Sequence, residues 1–445
     1  MISLVIFSAI FLIVILLVTG SFGSFVFSAL ILLLGYVFTF SVRSKRDRAY
    51  SILLISFLIY GGLALLHYCD LIFCNHYTES DELTVFIPFV EANVNNGFIQ
   101  LLENAVFASL GQFHGYLIYV TICAKFGNLF DGYNQMLVFL STVLIACLYA
   151  ILMYKLLLLK ISENRAYKYT ILYVLCSPII LYSFVGLRDI HIAFLFLIGI
   201  YIVLSEKKMI KGILMLIIID ILIYTFRIEN GHFFILLILY YIYIKLKTYK
   251  IIRIVLIVGA FLFGSALMFD ILSDAAETLD TYTEYTKSHA NADGMAMVIL
   301  NLPSPIKEFA CFILSQIFPI PPWSSFEVKT INGVYSFVIA CLTTIKTMFW
   351  CYVIFSSVRF LMIKKIRNVF INKYNIILLI SFLYIALCST EYYEVRRLMC
   401  VYPIIYACYC DVRCNVLSSK DLRMINREFL LCYGGFLLCF IVLFR

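Results

Sequence analysis

Residues 169–205 read YTILYVLCSPIILYSFVGLRDIHIAFLFLIGIYIVLS. The stretch is largely apolar except near its centre, where Arg188, Asp189 and His191 stand together. Ionisable side chains are costly in hydrocarbon, and within a membrane protein they usually face a water-filled cavity or a substrate. The stretch therefore predicts two membrane-crossing segments, 169–187 and 190–205, joined by a turn with a function.

The composition of the whole chain is that of a membrane protein. Of its 445 residues, 63% are hydrophobic and 13% are charged, whereas soluble proteins are about 45–50% apolar. A helix needs about 20 apolar residues to cross the membrane core, and the alternating pattern of a closed barrel is absent. We therefore predict an all-α, polytopic transmembrane helical bundle of about 13 spans, within a range of about 11 to 14.

Basic residues are concentrated in short segments between the predicted spans, such as 43–48 and 359–373. Cytoplasmic loops carry this excess of Lys and Arg, so the net charge of +8 indicates membrane topology and not a nucleic-acid partner. The first basic residue is Arg43, so we expect the first apolar run to remain as a span and not to be cleaved as a signal peptide. The lipid bilayer is the predicted environment.

Two long segments are predicted on the outer side of a single integral membrane domain, 1–445. The first, 69–132, contains a stretch at 98–126 that is typical of one or two amphipathic helices at the membrane interface. The second, 273–330, has acidic residues followed by the motif FPIPPW at 318–323. Loops of this length usually bind substrates or act as lids. We therefore include Trp323 among the substrate-binding candidates.

Two further clusters resemble the one at Arg188 in composition. The apolar segments flanking the first of them, 212–226 and 233–244, would be helices of only about 18–23 Å, less than the membrane core. The connecting turn is therefore predicted to lie below the outer surface, and arginines from three turns are predicted to share one recessed cavity. The members of the two clusters are Arg227, Glu229 and His232, and Glu394, Arg396 and Arg397.

Arginine suits the recognition of a phosphate, because its planar guanidinium stays charged and donates two parallel hydrogen bonds. The predicted cavity would therefore bind a lipid-linked phosphate or pyrophosphate. An alternative for each arginine is an interface anchor or an internal ion pair. The histidines are acid–base candidates or, alternatively, hydrogen-bonded turn residues.

The first outer segment supplies a pair of acidic residues, Asp81 and Glu82, and His114 further along. A carboxylate at this position can deprotonate an acceptor hydroxyl or bind a divalent cation. The alternative is a solvated acidic loop that caps the next helix. The cysteines and histidines lack the spacing of a zinc site, so no metal and no cofactor is assigned.

The sequence resembles the bacterial O-antigen polymerases, which join oligosaccharide repeat units and belong to a glycosyltransferase-C-like superfamily. Ser80-Asp81-Glu82 with Phe86 and Glu91 looks like the acidic motif in the first outer loop of that superfamily. The segment 114–127 is similar to the juxtamembrane segment after that motif. Arg188 followed by Gly199 fits the spacing of an arginine, ten residues and a glycine in the outer loops of such polymerases.

This resemblance implies a multi-pass enzyme of the bacterial inner membrane that joins undecaprenyl-pyrophosphate-linked repeat units on the periplasmic side. A flippase and a chain-length regulator of the same pathway are the implied protein partners. Together with the charge pattern, it makes the predicted catalytic residues Asp81, Glu82, Arg188, Asp189, Arg227, Glu229 and Arg396. The predicted substrate-binding residues are His114, His191, His232, Glu394, Arg397 and Trp323.

Two other functions stay open from the sequence. The first is a transferase that moves one sugar from a polyprenyl-phosphate donor, which would use the same arginines. The second is a polysaccharide flippase or ion-coupled transporter, in which Asp220 and Lys346, both within apolar runs, would relay protons. Most of the predicted recessed charge lies on one side of the membrane, and this asymmetry favours an enzyme.

Overall fold

The structure, a computed structural model, describes residues 2–72, 81–246, 301–303, 306–307, 310, 337–363, 381, 384 and 397–443. The secondary structure of these residues is helical and includes no strand, which confirms the all-α class. Short 3₁₀ turns and one π-helical turn, Glu82–Phe86, connect the longer elements. The α-helices are α1 (Ile2–Thr19), α2 (Phe22–Thr39), α3 (Arg46–Tyr68), α4 (Ile87–Asn93), α5 (Phe98–Ala108), α6 (His114–Lys125), α7 (Met136–Leu158), α8 (Glu163–Cys176), α9 (Ile179–Tyr182), α10 (Asp189–Ser205), α11 (Met209–Phe226), α12 (Ile228–Lys245), α13 (Phe337–Met362), α14 (Tyr402–Asn415) and α15 (Ser419–Leu443).

Within the described residues, six helices are long and apolar enough to cross a membrane: α1, α2, α3, α7, α11 and α13. The length and composition of these helices are those of a membrane protein. The count of about 13 spans stays a prediction. The predicted span at 190–205 forms a shorter apolar helix that is not among the six, and those at 255–272 and 375–389 lie almost entirely outside the described residues. The same holds for most of the second long segment, 273–330.

Helix α7 is the centre of the described bundle. It packs most extensively against α3, α10 and α2, and side chains on all of its faces are buried. A helix that is apolar all round is stable in this position because each face meets another apolar surface. Helix α1 differs, since it fully buries only Ser8 and Ile15 and leaves much of its apolar surface exposed, as a helix in contact with lipid does.

The predicted single span at 169–187 is wrong. Helix α8 ends at Cys176, and Ser177 is extended at φ −91° and ψ 164°. Proline has no amide hydrogen and disfavours helical backbone in the residue before it, so Pro178 ends the helix. After the single turn of α9, an irregular segment at 183–188 leads to Arg188 at the start of α10.

The hairpin of α11 and α12 also differs from the prediction. Both helices have 18 residues, about 27 Å at 1.5 Å per residue, so neither is short. Arg227 is the only residue between them, with extended backbone at φ −165° and ψ 111°. The expectation that short helices draw a loop below the surface is therefore wrong, and Glu229 and His232 lie within the first turns of α12.

The first long segment contains two helices at its centre, as one of the predicted alternatives had it. Helices α5 and α6 pack against each other and are joined by a turn in which Leu110 and Gly111 adopt positive φ. Helix α6 also packs against α7 and α11. The segment is thus attached to the bundle, whereas its depth in the membrane stays a prediction.

Candidate functional site

Parts of three separate regions of the sequence meet beside the start of α10. An Nη1 atom of Arg227, at the junction of α11 and α12, lies 3.5 Å from the Oδ1 atom of Asp189. Glu82, in the first long segment, accepts a hydrogen bond of 2.7 Å from the backbone N–H of Gly186. We call the group of Asp81, Arg188, Asp189, Arg227 and Glu229 the arginine cluster.

Arg188 lies at the centre of the charges in this cluster. Its guanidinium stacks 4.7 Å from the ring centroid of Phe113, which ends the turn before α6. Burial and the positive charge of Arg227 lower the pKa of Arg188, while Asp189, Asp81 and Glu229 raise it, with a net pKa below its ordinary value. Two arginines thus lie close enough to repel each other, and the three carboxylates compensate part of that repulsion. An anion would reduce the repulsion further.

Arg227 connects a buried carboxylate to an exposed one. The side chain of Asp189 is 6% exposed and that of Arg227 13%, whereas Glu229, 3.6 Å away on the Nε side, is 68% exposed. A guanidinium has five N–H donors, so these two contacts do not exhaust those of Arg227. Asp189 thus holds Arg227 on its buried side, and Glu229 stays accessible to solvent or a ligand.

Glu82 does not lie in a solvated acidic loop. Its side chain is 1% exposed, and its second oxygen, Oε2, lies 3.3 Å from the Nε2 atom of His67. Both carboxylate oxygens of Glu82 are therefore engaged inside the protein, which does not suit the predicted role of a base for a substrate hydroxyl. Asp81, the adjacent residue, is only half-buried.

His67 was not among the predicted site residues. It lies near the end of α3, where its ring packs between Phe139 and Phe184 at centroid distances of 4.7 and 5.6 Å. The signal that identifies it was present, because it is an ionisable residue at the end of an apolar run, the same criterion that selected Arg188.

The three predicted histidines have different surroundings. His191 is buried, with its ring against Tyr116 and Tyr119 at centroid distances of 5.3 and 4.9 Å. Its contacts are those of a packed aromatic side chain. His114 Nδ1 lies 3.0 Å from the carbonyl oxygen of Gly111, so it stabilises the turn before α6. His232 packs edge-on against the ring of Tyr224 on α11.

Tyr116 lies near enough to the arginine cluster to interact electrostatically with Arg188 and Asp189. Its side chain is fully buried, and burial together with the charges of Glu82 and Asp189 raises the pKa of its phenol well above the ordinary value. Among the described residues, its hydroxyl oxygen has no hydrogen-bond partner. Tyr116 packs against His191 on α10 and Phe226 on α11, which places a group of aromatic rings beside the start of α10.

The third predicted cluster is described only in part. Glu394, Arg396 and Trp323 lie outside the described residues. Arg397 begins a 3₁₀ turn, Arg397–Cys400, whose backbone packs against α10. The chain that follows the third cluster therefore adjoins the helix that begins after Arg188.

Gly199, which completes the spacing from Arg188, has a packing explanation. A β-carbon at this position would overlap the ring of Phe234 on α12. The glycine thus allows α10 and α12 to approach closely, and this contact helps to fix the two helices that begin at Asp189 and Ile228.

No family model, no curated protein and no solved structure matches this sequence. Within the described part of the chain, no three residues of the types His, Cys, Asp and Glu come together in a way that would hold a metal ion.

Proposed function

We propose that this protein is a membrane glycosyltransferase of the O-antigen polymerase type. It would join undecaprenyl-pyrophosphate-linked oligosaccharide repeat units at the periplasmic side of a bacterial inner membrane. The observation that supports the proposal is that Arg188 and Arg227 lie together with Asp189 and Glu229. The two arginines are 39 positions apart in a chain that contains long apolar helices.

The reaction transfers the growing glycan from its lipid carrier to a new repeat unit. A hydroxyl of the new unit attacks the anomeric carbon, the bond from that carbon to the pyrophosphate breaks, and the hydroxyl proton passes to a carboxylate. Negative charge grows on the leaving pyrophosphate. Fixed cations at the place where charge develops usually supply a large share of the rate enhancement, and Arg188 and Arg227 would have this role.

The base is drawn from the acidic members of the arginine cluster. Glu229 is the most exposed acid in its ion-pair network, and Asp81 is half-buried beside Arg188. Either can reach solvent, unlike Glu82. Asp189 is almost fully buried and would instead orient Arg227.

The assignment extends to partners and substrates of the same pathway. Glycans linked to undecaprenyl pyrophosphate would be both donor and acceptor, and Trp323, Glu394, Arg396 and Arg397 would contribute from the later segments. The need for a flippase and a chain-length regulator follows from the reaction, since the repeat units must reach the periplasmic side and chain growth must stop. No nucleotide sugar takes part in the joining step.

The test compares surface-glycan ladders on a gel from cells that carry the natural protein, no protein, or a variant. Arg188→Ala and Arg227→Ala should each reduce the ladder to a single capped repeat unit at normal protein level. Arg46→Ala is a matched control, because Arg46 also stacks on a phenylalanine, at 3.7 Å from the Phe40 ring centroid. It should keep the full ladder.

Other outcomes would replace the proposal. Normal long chains in the Arg188→Ala strain would overturn the role of the arginine cluster. If loss of the protein removed only one branch sugar, the single-sugar transferase would take its place. An unchanged ladder in cells without the protein would favour the transporter, for which half-buried Asp220 on α11 and buried Lys346 on α13 are the relevant residues.

A further inference from the structure

Glu82 and His67 form a buried pair that reaches the segment before Arg188. The Oε1 atom of Glu82 accepts the hydrogen bond from the Gly186 N–H across 104 positions of sequence, and Oε2 contacts His67 Nε2. We infer that Glu82 is a positioning residue that fixes Arg188 through the backbone of Gly186, with His67 holding the carboxylate. This inference deepens the proposed function and rests on it for its catalytic consequence.

The burial of this pair argues for a specific role. Glu82 is 1% exposed and His67 is 7% exposed. A carboxylate in such a place is costly unless hydrogen bonds satisfy it, and breaking one partner of a buried pair is strongly destabilising. Glu82 meets this requirement with one amide and one imidazole. The ring of His67 is itself held, because its Nδ1 atom lies 3.2 Å from the carbonyl oxygen of Ile72.

The bonded amide lies in a buried segment that has no regular helical hydrogen bonding. Segment 183–188, between α9 and α10, is irregular, so its N–H groups are not all used by a helix. The bond from Glu82 is charge-assisted, a stronger class than a bond between neutral groups. Gly186 is two residues from Arg188. The bond to Glu82 therefore fixes the position of the backbone from which the Arg188 side chain extends.

The approach of Glu82 to this backbone depends on a glycine. A β-carbon on residue 186 would lie 3.1 Å from the Oε1 atom of Glu82 and 2.9 Å from Cγ1 of Val138 on α7. The second distance is shorter than real β-carbon contacts, so any larger residue would push the segment away from α7 and from the carboxylate. Gly186, Glu82 and His67 thus form one unit.

A general base and a positioning residue respond differently to conservative substitution. Glu82→Gln keeps a carbonyl oxygen at the position of Oε1, so it still accepts from Gly186, but it cannot accept a substrate proton. Glu82→Asp keeps the carboxylate but shortens the side chain by one methylene, so it cannot span from His67 to Gly186. Positioning predicts that Gln retains more function than Asp, and general-base catalysis predicts the reverse.

The experiment measures these two variants of the full-length protein by two readouts. The first is the amount of long-chain glycan at equal protein level, for which we expect Glu82→Asp to lose about 10- to 100-fold, as a misplacement of about 1 Å in an active site does. Glu82→Gln should lose less than threefold, about 0.6 kcal/mol. The second readout is hydrogen exchange of a peptide covering 183–188 in purified protein, which should be faster in Glu82→Asp and near normal in Glu82→Gln.

The exchange readout does not depend on what the protein catalyses. If cells without the protein kept the full ladder, the proposed function would fail, yet the comparison of exchange rates would still test whether Glu82 holds the segment. Higher activity for Asp than for Gln, or equal exchange of 183–188 in both variants and the natural protein, would overturn the positioning role.

Discussion

The guanidinium of Arg227 lies 3.5 Å from the carboxylate of Asp189, although 38 positions of sequence separate them. This contact connects the start of α10 to the junction of α11 and α12. Because Asp189 follows Arg188 directly, the same contact brings both arginines into one cluster. The two ion pairs of Arg227 differ greatly in burial, which leads to the first prediction.

Loss of Asp189 should destabilise the protein much more than loss of Glu229. Asp189→Ala leaves the largely buried Arg227 without its buried partner, at a cost of about 1.5–3 kcal/mol for a hydrogen bond to a charged group. Glu229→Ala removes an exposed partner, whose ion pairs contribute about 0–1 kcal/mol. Thermal unfolding of the two variants in detergent checks this difference. Equal shifts in Tm would show that burial does not distinguish the two pairs.

His191 should tolerate replacement by phenylalanine. Its ring is enclosed by Tyr116, Tyr119 and Phe226, so His191→Phe should keep both the Tm and the glycan ladder. His191→Ala leaves a cavity, with an expected loss of about 2 kcal/mol or more and a Tm lower by several degrees. A normal Tm with a lost ladder in His191→Phe would instead restore the substrate-binding role predicted from the sequence.

Gly199→Ala should destabilise the contact of α10 with α12. The new methyl group would overlap the ring of Phe234, and overpacking of this kind typically costs about 1–3 kcal/mol. Adding Phe234→Leu should recover part of the lost Tm, because it removes ring atoms from the contact. Gly62→Ala on α3 is the matched control, since a β-carbon there meets nothing within 4 Å. If Gly199→Ala, the double variant with Phe234→Leu and Gly62→Ala all had a similar Tm, the packing role of Gly199 would be contradicted.

The stability of the start of α2 should depend on pH through Asp131. Its carboxylate accepts hydrogen bonds from the N–H groups of Phe22 and Gly23, at 2.5 and 2.9 Å. Desolvation acts to raise the pKa of Asp131, but these bonds and the Ser21 hydroxyl lower it below its ordinary value of 3.8. A carboxyl with a lowered folded-state pKa contributes stability above its unfolded-state pKa and loses it as pH falls through the folded-state pKa.

The measurement for Asp131 is the difference in Tm between the natural protein and Asp131→Asn at several pH values. The natural protein should be more stable near pH 7, and the difference should shrink as pH falls below 3.8. Glu103→Gln, which changes an exposed carboxylate on α5, serves as the control. A difference between natural protein and Asp131→Asn that stays constant down to pH 2 would contradict this contribution.

Composition and hydropathy predicted the helical membrane class, and the reason is physical. Spanning helices must be long and apolar, and this requirement is written directly in the sequence. Pro178 also marks a helix end in the sequence, because proline cannot continue a helix. The apolar residues on both sides of it nevertheless made the segment look like one continuous span. The ends of α11 and α12 could not be predicted from the sequence. Glu229 and His232 are polar and look like loop residues, although they lie in α12. Within α12, Glu229 pairs with Arg227 at the junction, and His232 packs on Tyr224 of α11.

Some features of the site could also be predicted from the sequence, and others could not. The charge clusters at Arg188 and Arg227 were recognisable as polar residues within apolar sequence, and the structure brings them together. The opposite environments of Asp81 and Glu82 were not recognisable, because adjacent residues look alike in sequence. In the structure, Glu82 is buried and engaged by His67 on α3 and by the backbone of Gly186, which is 104 positions away in the chain.

The junction at Arg227 has a consequence for the cluster as a whole. Arg227 is the single residue that connects two 18-residue helices. Its backbone can therefore move only when α11 or α12 moves. A cation on a flexible loop must give up conformational entropy when an anion arrives. Arg227 has already met that cost during folding, and its charge is preorganised.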